Sequence, residues 1–228
     1  MQISDNIKRV CEEIEYYSKK AWGSEDAVDL IAVSKTVAAD KIEQAYNAGL
    51  RMFGENKVQE YVKKSENLAK DIKWNIIGQL QTNKVKYIIE KNIYLLHSLD
   101  RLSLAEELQR QCKKYNKTIN ALVQVNISGE QTKAGVSPEE VEAFFEELSC
   151  FDSIKIKGIM TIGPNTDDEV SIRNSFARTK VIYDKMAGQI EGMEYLSMGM
   201  SHDFAWAIQE GSNMVRVGSA IFGERVIH

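Results

Sequence analysis

Prolines and cysteines are scarce in this chain of 228 residues, which has two of the former and three of the latter. Three scattered cysteines, Cys11, Cys112 and Cys150, are too few and odd in number for a disulfide framework. No apolar run approaches the length of about eighteen residues that a membrane helix needs. Acidic residues from Asp5 onward break any apolar leader segment at the start of the chain. These absences predict a reduced, soluble protein of the cytoplasm that does not enter a membrane.

An excess of one charge is also lacking, since 29 basic residues stand against 33 acidic ones and the formal net charge is −4. This mild acidity argues against a broad nucleic-acid surface, which needs a net basic face. The histidine and cysteine spacings of a metal site are missing, as are the glycine pattern of a Rossmann dinucleotide site and the serine elbow of a hydrolase. Because the sequence has no linker or low-complexity tract, residues 1–228 are predicted to form one domain.

Short apolar runs alternate along the chain with longer segments of helical period, which is typical of a parallel sheet covered by helices. An amphipathic helix is expected first, with Ile3, Ile7 and Ile14 on one face. Further helices are predicted over residues 39–48, 101–115, 138–148 and 168–186. The predicted strands are residues 29–34, 51–53, 73–77, 93–97, 119–126, 155–160, 194–198 and 214–217. Eight strands in a chain of this length favour a closed (β/α)₈ barrel with an extra N-terminal helix over an open doubly wound sheet.

Lys35 directly follows the first predicted strand. Reactive groups of such barrels lie at the carboxyl ends of the strands, and a lysine backed by apolar residues there can become nucleophilic enough to form a Schiff base. The alternative is a solvated lysine at a strand end. Lys35 taken alone favours that alternative.

Arg216 lies near the end of the eighth predicted strand and is followed by Gly218 and Ser219. In a closed barrel the eighth strand pairs with the first, so Arg216 is expected to approach Lys35. The glycine and serine offer backbone N–H groups and a hydroxyl for an anion. The alternative is a tight turn with the arginine paired to a carboxylate.

Two further residues follow other strands. Ser201, after the seventh, can donate its hydroxyl to a phosphate or cap the helix that follows, and capping is the simpler interpretation. Asn56, after the second, is placed to donate to a bound ring. Both therefore belong to the expected barrel mouth.

Several segments together resemble a known family, the pyridoxal 5′-phosphate (PLP) homeostasis proteins, which are single-domain relatives of the N-terminal barrel of alanine racemase. The matching segments are 31–36 (IAVSKT), 53–56 (FGEN), 77–84 (IGQLQTNK), 158–161 (GIMT), 196–201 (LSMGMS) and 215–223 (VRVGSAIFG). The resemblance implies a (β/α)₈ barrel of the alanine racemase N-terminal type, PLP fold type III. It also implies that PLP is held as an aldimine on Lys35, with Arg216 facing the pyridine nitrogen. The remaining implied cofactor-binding residues are Asn56, Met200, Ser201, Gly218 and Ser219.

The resemblance leaves two classes of function open. The first is a PLP carrier, which holds, buffers and delivers the cofactor with little or no amino-acid turnover. The second is a PLP-dependent racemase-like enzyme. We expect the carrier, because alanine racemases bring a catalytic tyrosine from a second, β-rich domain and no residues follow the eighth strand here to build one. A Schiff-base aldolase fits Lys35 but not Arg216. The expected partners are PLP and apo PLP-dependent enzymes, with the protein acting as a monomer.

Overall fold

The computed structural model describes residues 2–130 and 133–223. Eight parallel strands close into a barrel in chain order. The strands are β1 (Asp29–Val33), β2 (Met52–Glu55), β3 (Lys73–Ile76), β4 (Leu95–Leu99), β5 (Ile119–Val125), β6 (Ile154–Thr161), β7 (Tyr195–Ser197) and β8 (Met214–Val217). The helices are α1 (Ile3–Trp22), α2 (Ala39–Asn47), α3 (Val58–Asn67), α4 (Val85–Glu90), α5 (Leu102–Tyr115), α6 (Val141–Leu148), α7 (Glu169–Ala187), α8 (Phe204–Gln209) and α9 (Ser219–Phe222). The predicted (β/α)₈ barrel with an extra N-terminal helix is therefore confirmed.

Burial on both faces explains the continuous apolar runs of the strands. All five residues of β4 are buried, because one face packs against the helices and the other fills the barrel. The interior carries its own apolar cluster, made of Ile31, Leu95, Leu122, Met160 and Met214. This cluster fills the barrel interior with apolar side chains.

Closure of the barrel pairs the first strand of the chain with the last. The first and last strands pair in parallel, with Asp29 opposite Met214 and Ile31 opposite Arg216. Helix α1 reinforces this seam from outside, since Asn6 Nδ2 donates to Ile221 O at 2.9 Å. The loops after β1 and β8 therefore stand side by side.

Three predicted boundaries were wrong by two or three residues. Strand β2 continues to Glu55, and β4 runs two residues later than residues 93–97. Helix α6 begins at Val141 rather than at residue 138, and its N-cap residue is Glu140. All three differences lie at the edge of an element, where boundaries are least sharply defined.

None of the helices in the described part of the chain combines the length and apolar character needed to cross a membrane.

Candidate functional site

A cleft of about 430 Å³ opens at the carboxyl ends of β1 and β8. Its volume lies within the range of small-molecule sites, roughly 300–1,000 Å³. The cleft brings together these predicted residues: Lys35, Met200, Ser201, Arg216, Gly218 and Ser219. The barrel mouth is thus the candidate functional site.

Lys35 lies in a tight turn directly after β1. Val37 N donates to Ser34 O at 2.9 Å, which closes the turn around Lys35 and Thr36. Thr36 has a φ of +63°, a conformation that β-branched residues rarely adopt. Such a residue costs about 1–3 kcal/mol and persists only where neighbouring contacts hold it. The backbone at the lysine is therefore held in an unusual conformation.

Arg216 forms the floor of the cleft and is 4% exposed. It donates from Nη1 to Ser197 Oγ at 2.7 Å and from Nη2 to the carbonyl oxygen of Thr161 at 2.8 Å. Burial lowers the pKa of Arg216 to about 10, and the charge of Asp203 opposes that shift. The guanidinium therefore stays protonated at neutral pH. Within the part of the chain that the structure describes, it donates to a hydroxyl and a carbonyl oxygen rather than to a carboxylate.

A chain of buried polar groups continues from Arg216 across the barrel. Ser197 Oγ lies 3.3 Å from His97 Nδ1, and His97 Nε2 lies 3.2 Å from Asn75 Oδ1. Burial, aided by the charge of Arg216, lowers the pKa of His97 well below its usual value. His97 is therefore neutral, and the buried chain from Arg216 to Asn75 carries no charge other than that of the guanidinium.

Ser201 fixes the loop between β8 and α9. Its Oγ accepts from the backbone N–H of Gly218 at 3.1 Å and of Ala220 at 3.4 Å. The simpler interpretation, a cap for the helix that follows Ser201, was wrong, because the N-cap position of α8 is Asp203, whose Oδ1 accepts from Met200 N at 2.5 Å. Ser201 instead connects the β7 and β8 loops.

Gly218 lets the β8 loop lie close against β1. A Cβ added there would stand 3.3 Å from Val33 Cβ, tighter than most real contacts. Ser219 is exposed beside it and lines the cleft. A small residue is thus needed where the two strand ends meet.

Asn56 does not belong to the cleft lining. It follows β2 and packs under Gly78, where an added Cβ would stand 2.6 Å from Asn56 O and 2.8 Å from its Cα. Contact between Asn56 and a cofactor stays a prediction.

Sequence reasoning assigned no role to Lys41, which lines the cleft from the first turn of α2, or to His202, which lines the cleft too. It also missed the polar residues behind the cleft, Ser197, His97 and Thr161. A buried serine at the end of a strand gave no signal of its own. Ser197 can be recognised as part of the site only in the structure, where Arg216 on the next strand donates to it.

A larger cleft of about 570 Å³ lies between α6 and α7. Its floor is apolar, with Phe145, Phe151 and Met186, and it opens where β6 begins. Function in such barrels is carried by the carboxyl ends of the strands, so the smaller cleft is the better candidate. No group of three His, Cys, Asp or Glu side chains in residues 2–130 and 133–223 is arranged to hold a metal ion.

The fold and the lysine-bearing cleft define a barrel of the alanine racemase type, and residues 6–226 match the family model described as alanine racemase, N-terminal domain. The chain is 41% identical over 227 residues to the pyridoxal phosphate homeostasis protein of Aquifex aeolicus, covering 99% of both chains. It is also 41% identical to the protein of that name from Helicobacter pylori, covering 91% of this chain and 92% of that one. The chain therefore belongs to the pyridoxal phosphate homeostasis protein family.

Solved structures agree with this placement. PipY of Synechococcus elongatus without PLP has a TM-score of 0.87 at 32% identity, covering 97% of this chain and 100% of that one. PipY with PLP bound gives 0.85 at 31% identity over the same shares of the two chains. Alanine racemase from Bartonella henselae with covalently bound pyridoxal phosphate has a TM-score of 0.75 at 19% identity. This chain covers 61% of that racemase, a likeness that concerns the fold alone.

Proposed function

We propose that this protein binds PLP at the barrel mouth, buffers its concentration in the cytoplasm and delivers it to apo PLP-dependent enzymes. The observation that carries the proposal is the meeting of Lys35, Arg216 and the Ser201 loop in one cleft. Relatives at 41% identity are named for PLP homeostasis, and PipY has been solved with PLP bound. Residues 1–228 act in this proposal as one unit and as a monomer.

The residues of the cleft fit the chemical groups of PLP. A phosphate monoester needs hydrogen-bond donors on short groups in a concave loop. Ser219, Ser201 and the loop after β8, which begins at Gly218 and is bonded to Ser201, supply them. An aldehyde needs a primary amine, which Lys35 supplies, and a pyridine nitrogen can accept a hydrogen bond from Arg216. When bound, PLP contributes an electrophilic aldehyde and an electron-withdrawing ring.

Each residue then has a separate task. Lys35 holds the aldehyde carbon through its Nζ, and Ser201, Gly218 and Ser219 hold the phosphate. Arg216 orients the ring and keeps its own proton, because a guanidinium does not protonate a pyridine. Without ring protonation the carbanion chemistry of amino-acid turnover is weakly supported.

Accessibility favours a carrier over a racemase-like enzyme. Met200 is 39% exposed at the cleft, and His202 and Ser219 are exposed beside it. An open mouth suits entry and exit of a cofactor, whereas carbanion chemistry gains from a closed, water-free site. The free thiols of Cys11, Cys112 and Cys150 suit a reducing compartment such as the cytoplasm.

Borohydride reduction tests the attachment residue. We expect reduction of the PLP-loaded protein to fix the cofactor's mass on the peptide that contains Lys35. Lys35→Ala should lose the visible absorbance band, whereas the control Lys63→Ala, on the outer helix α3, should keep it. An adduct found chiefly on Lys84 or Lys133 would contradict the assignment.

A second measurement separates carrier from enzyme. The loaded protein is incubated with L-alanine in deuterated water, and we expect deuterium at Cα to appear far more slowly than the usual enzymatic range of about 1–1,000 per second. Mixed with an apo PLP enzyme, the loaded protein should restore that enzyme's activity. Racemisation within the enzymatic range would replace the carrier with the racemase-like alternative.

A further inference from the structure

A charged side chain outside the cleft, that of Lys64, is hydrogen-bonded to the turn that carries Lys35. Lys64, on α3, is almost buried, with 11% of its side chain exposed. Its Nζ donates to the carbonyl oxygen of Ser34 at 2.8 Å, to Glu55 Oε1 at 2.8 Å and to Glu60 Oε2 at 3.1 Å. One ammonium thus connects α3, the end of β2 and the residue before the cleft lysine.

The residue after the cleft lysine is held by the same cluster. The backbone N–H of Thr36 donates to Glu60 Oε2 at 2.8 Å. Both peptide groups beside Lys35 are therefore bonded to charged side chains, one through the Ser34 carbonyl and the other through the Thr36 amide. These bonds hold Thr36 at its positive φ. Without them, its backbone would tend to leave this strained conformation.

Glu55 completes the cluster from inside the barrel wall. It is fully buried, and its Oε1 accepts from Ser34 Oγ at 2.5 Å as well as from Lys64. Its other oxygen, Oε2, is buried with no hydrogen-bond partner in the described part of the chain. Burial raises the pKa of Glu55, and the bonds from Lys64 and Ser34 oppose that rise.

Stability alone is a poor reason for such a cluster. A buried ion pair gains little over an apolar replacement, because removing its charges from water costs as much as their attraction returns. An unsatisfied buried oxygen adds to that cost. What the cluster does supply is geometry, since a charge-assisted bond fixes the backbone on each side of one lysine.

We propose that Glu55, Glu60 and Lys64 are positioning residues that aim the amine of Lys35 at the aldehyde of the bound cofactor. The inference rests on the proposed function. None of the three residues lines the cleft, so they act through the turn of Lys35 rather than on the ligand. Their removal should weaken the covalent step and spare the phosphate cradle on the β7 and β8 loops.

Two ligands separate these effects. PLP carries the aldehyde, and pyridoxine 5′-phosphate has the same ring and phosphate with an alcohol in its place. For Lys64→Met we expect PLP to bind about tenfold more weakly or worse, as for a lost charge-assisted hydrogen bond. Pyridoxine 5′-phosphate should bind within about twofold of wild type. Lys63→Met, one position earlier on α3, should change neither affinity.

Glu60→Ala provides a second variant if Lys64→Met fails to fold, because the Glu60 side chain is 27% exposed and removable. It should show the same split between the ligands. Equal losses for both ligands would reveal a merely structural role, and unchanged PLP binding would also overturn the inference. If wild-type protein takes up no PLP, or is labelled on another lysine, the proposed function itself fails.

Discussion

Removal of one hydroxyl, in Ser201→Ala, tests the phosphate cradle. Ser201 Oγ accepts from the N–H groups of Gly218 and Ala220, and the loop that they begin faces the cleft. A neutral hydrogen bond contributes about 0.5–1.5 kcal/mol, so two of them set the scale at about 1–3 kcal/mol. In the free protein, water can replace the hydroxyl at this half-buried loop, and the loss of stability should be small.

The loss should instead appear in binding. PLP binding requires the loop after β8 in its ordered form. In the variant, PLP also loses any contact with the Ser201 hydroxyl. We expect the dissociation constant for PLP to rise by about 5- to 150-fold, the equivalent of 1–3 kcal/mol. Pyridoxal, which has no phosphate, should bind the variant and the wild type alike.

Titration of the visible band with PLP and with pyridoxal measures both constants. Ser149→Ala serves as the control, because Ser149 also makes a side-chain hydrogen bond, to Glu146 O at 2.6 Å, but lies at the end of α6. Thermal unfolding of each variant checks the fold. The reasoning is refuted if Ser201→Ala weakens both ligands equally, or if wild type binds pyridoxal as tightly as PLP.

Two further predictions concern the barrel interior. His97 stays neutral when folded but binds a proton when unfolded, so the free energy of unfolding should fall as pH drops below about 6.5, by up to about 1.4 kcal/mol per unit. His97→Gln should flatten that dependence in urea titrations, and an unchanged slope would assign it to other groups. Gly158→Ala would place a Cβ 1.8 Å from Tyr195 O and should cost about 4 kcal/mol or more of stability. Calorimetry should show Gly163→Ala to be far milder, because its Cβ would meet Phe176 Cζ at 3.3 Å and Asp203 Oδ2 at 3.5 Å, and equal melting temperatures would contradict the argument.

The strand and helix order could be predicted from the sequence because each strand is a short apolar run set off by polar segments. That order also implied the pairing of β1 with β8, and hence the approach of Lys35 and Arg216. Chain order alone was enough here, since consecutive parallel strands with helical crossovers leave few closed arrangements.

The positioning cluster could not be predicted. Glu55 is a charged residue inside a strand, and hydrophobic patterning ends the strand before it. The buried charge of Glu55 is compensated by Lys64, which lies nine residues further along the chain. Helical patterning assigns Lys64 to the solvent side of α3. Ser201 was misjudged for a similar reason, because its partners lie 17 and 19 residues away across the barrel mouth. Side-chain hydrogen bonds between loops produce no periodic pattern in the sequence.

The seam between β1 and β8 has a consequence for synthesis of the protein. The lysine is synthesised before the arginine and the β8 loop, because these lie much further along the chain. A nascent or truncated chain that stops before Met214 therefore carries Lys35 but not the β8 loop that stands beside it. The proposed capture of PLP across the seam is therefore confined to chains that have been made through the β8 loop, and by mass action it favours those whose barrel has closed.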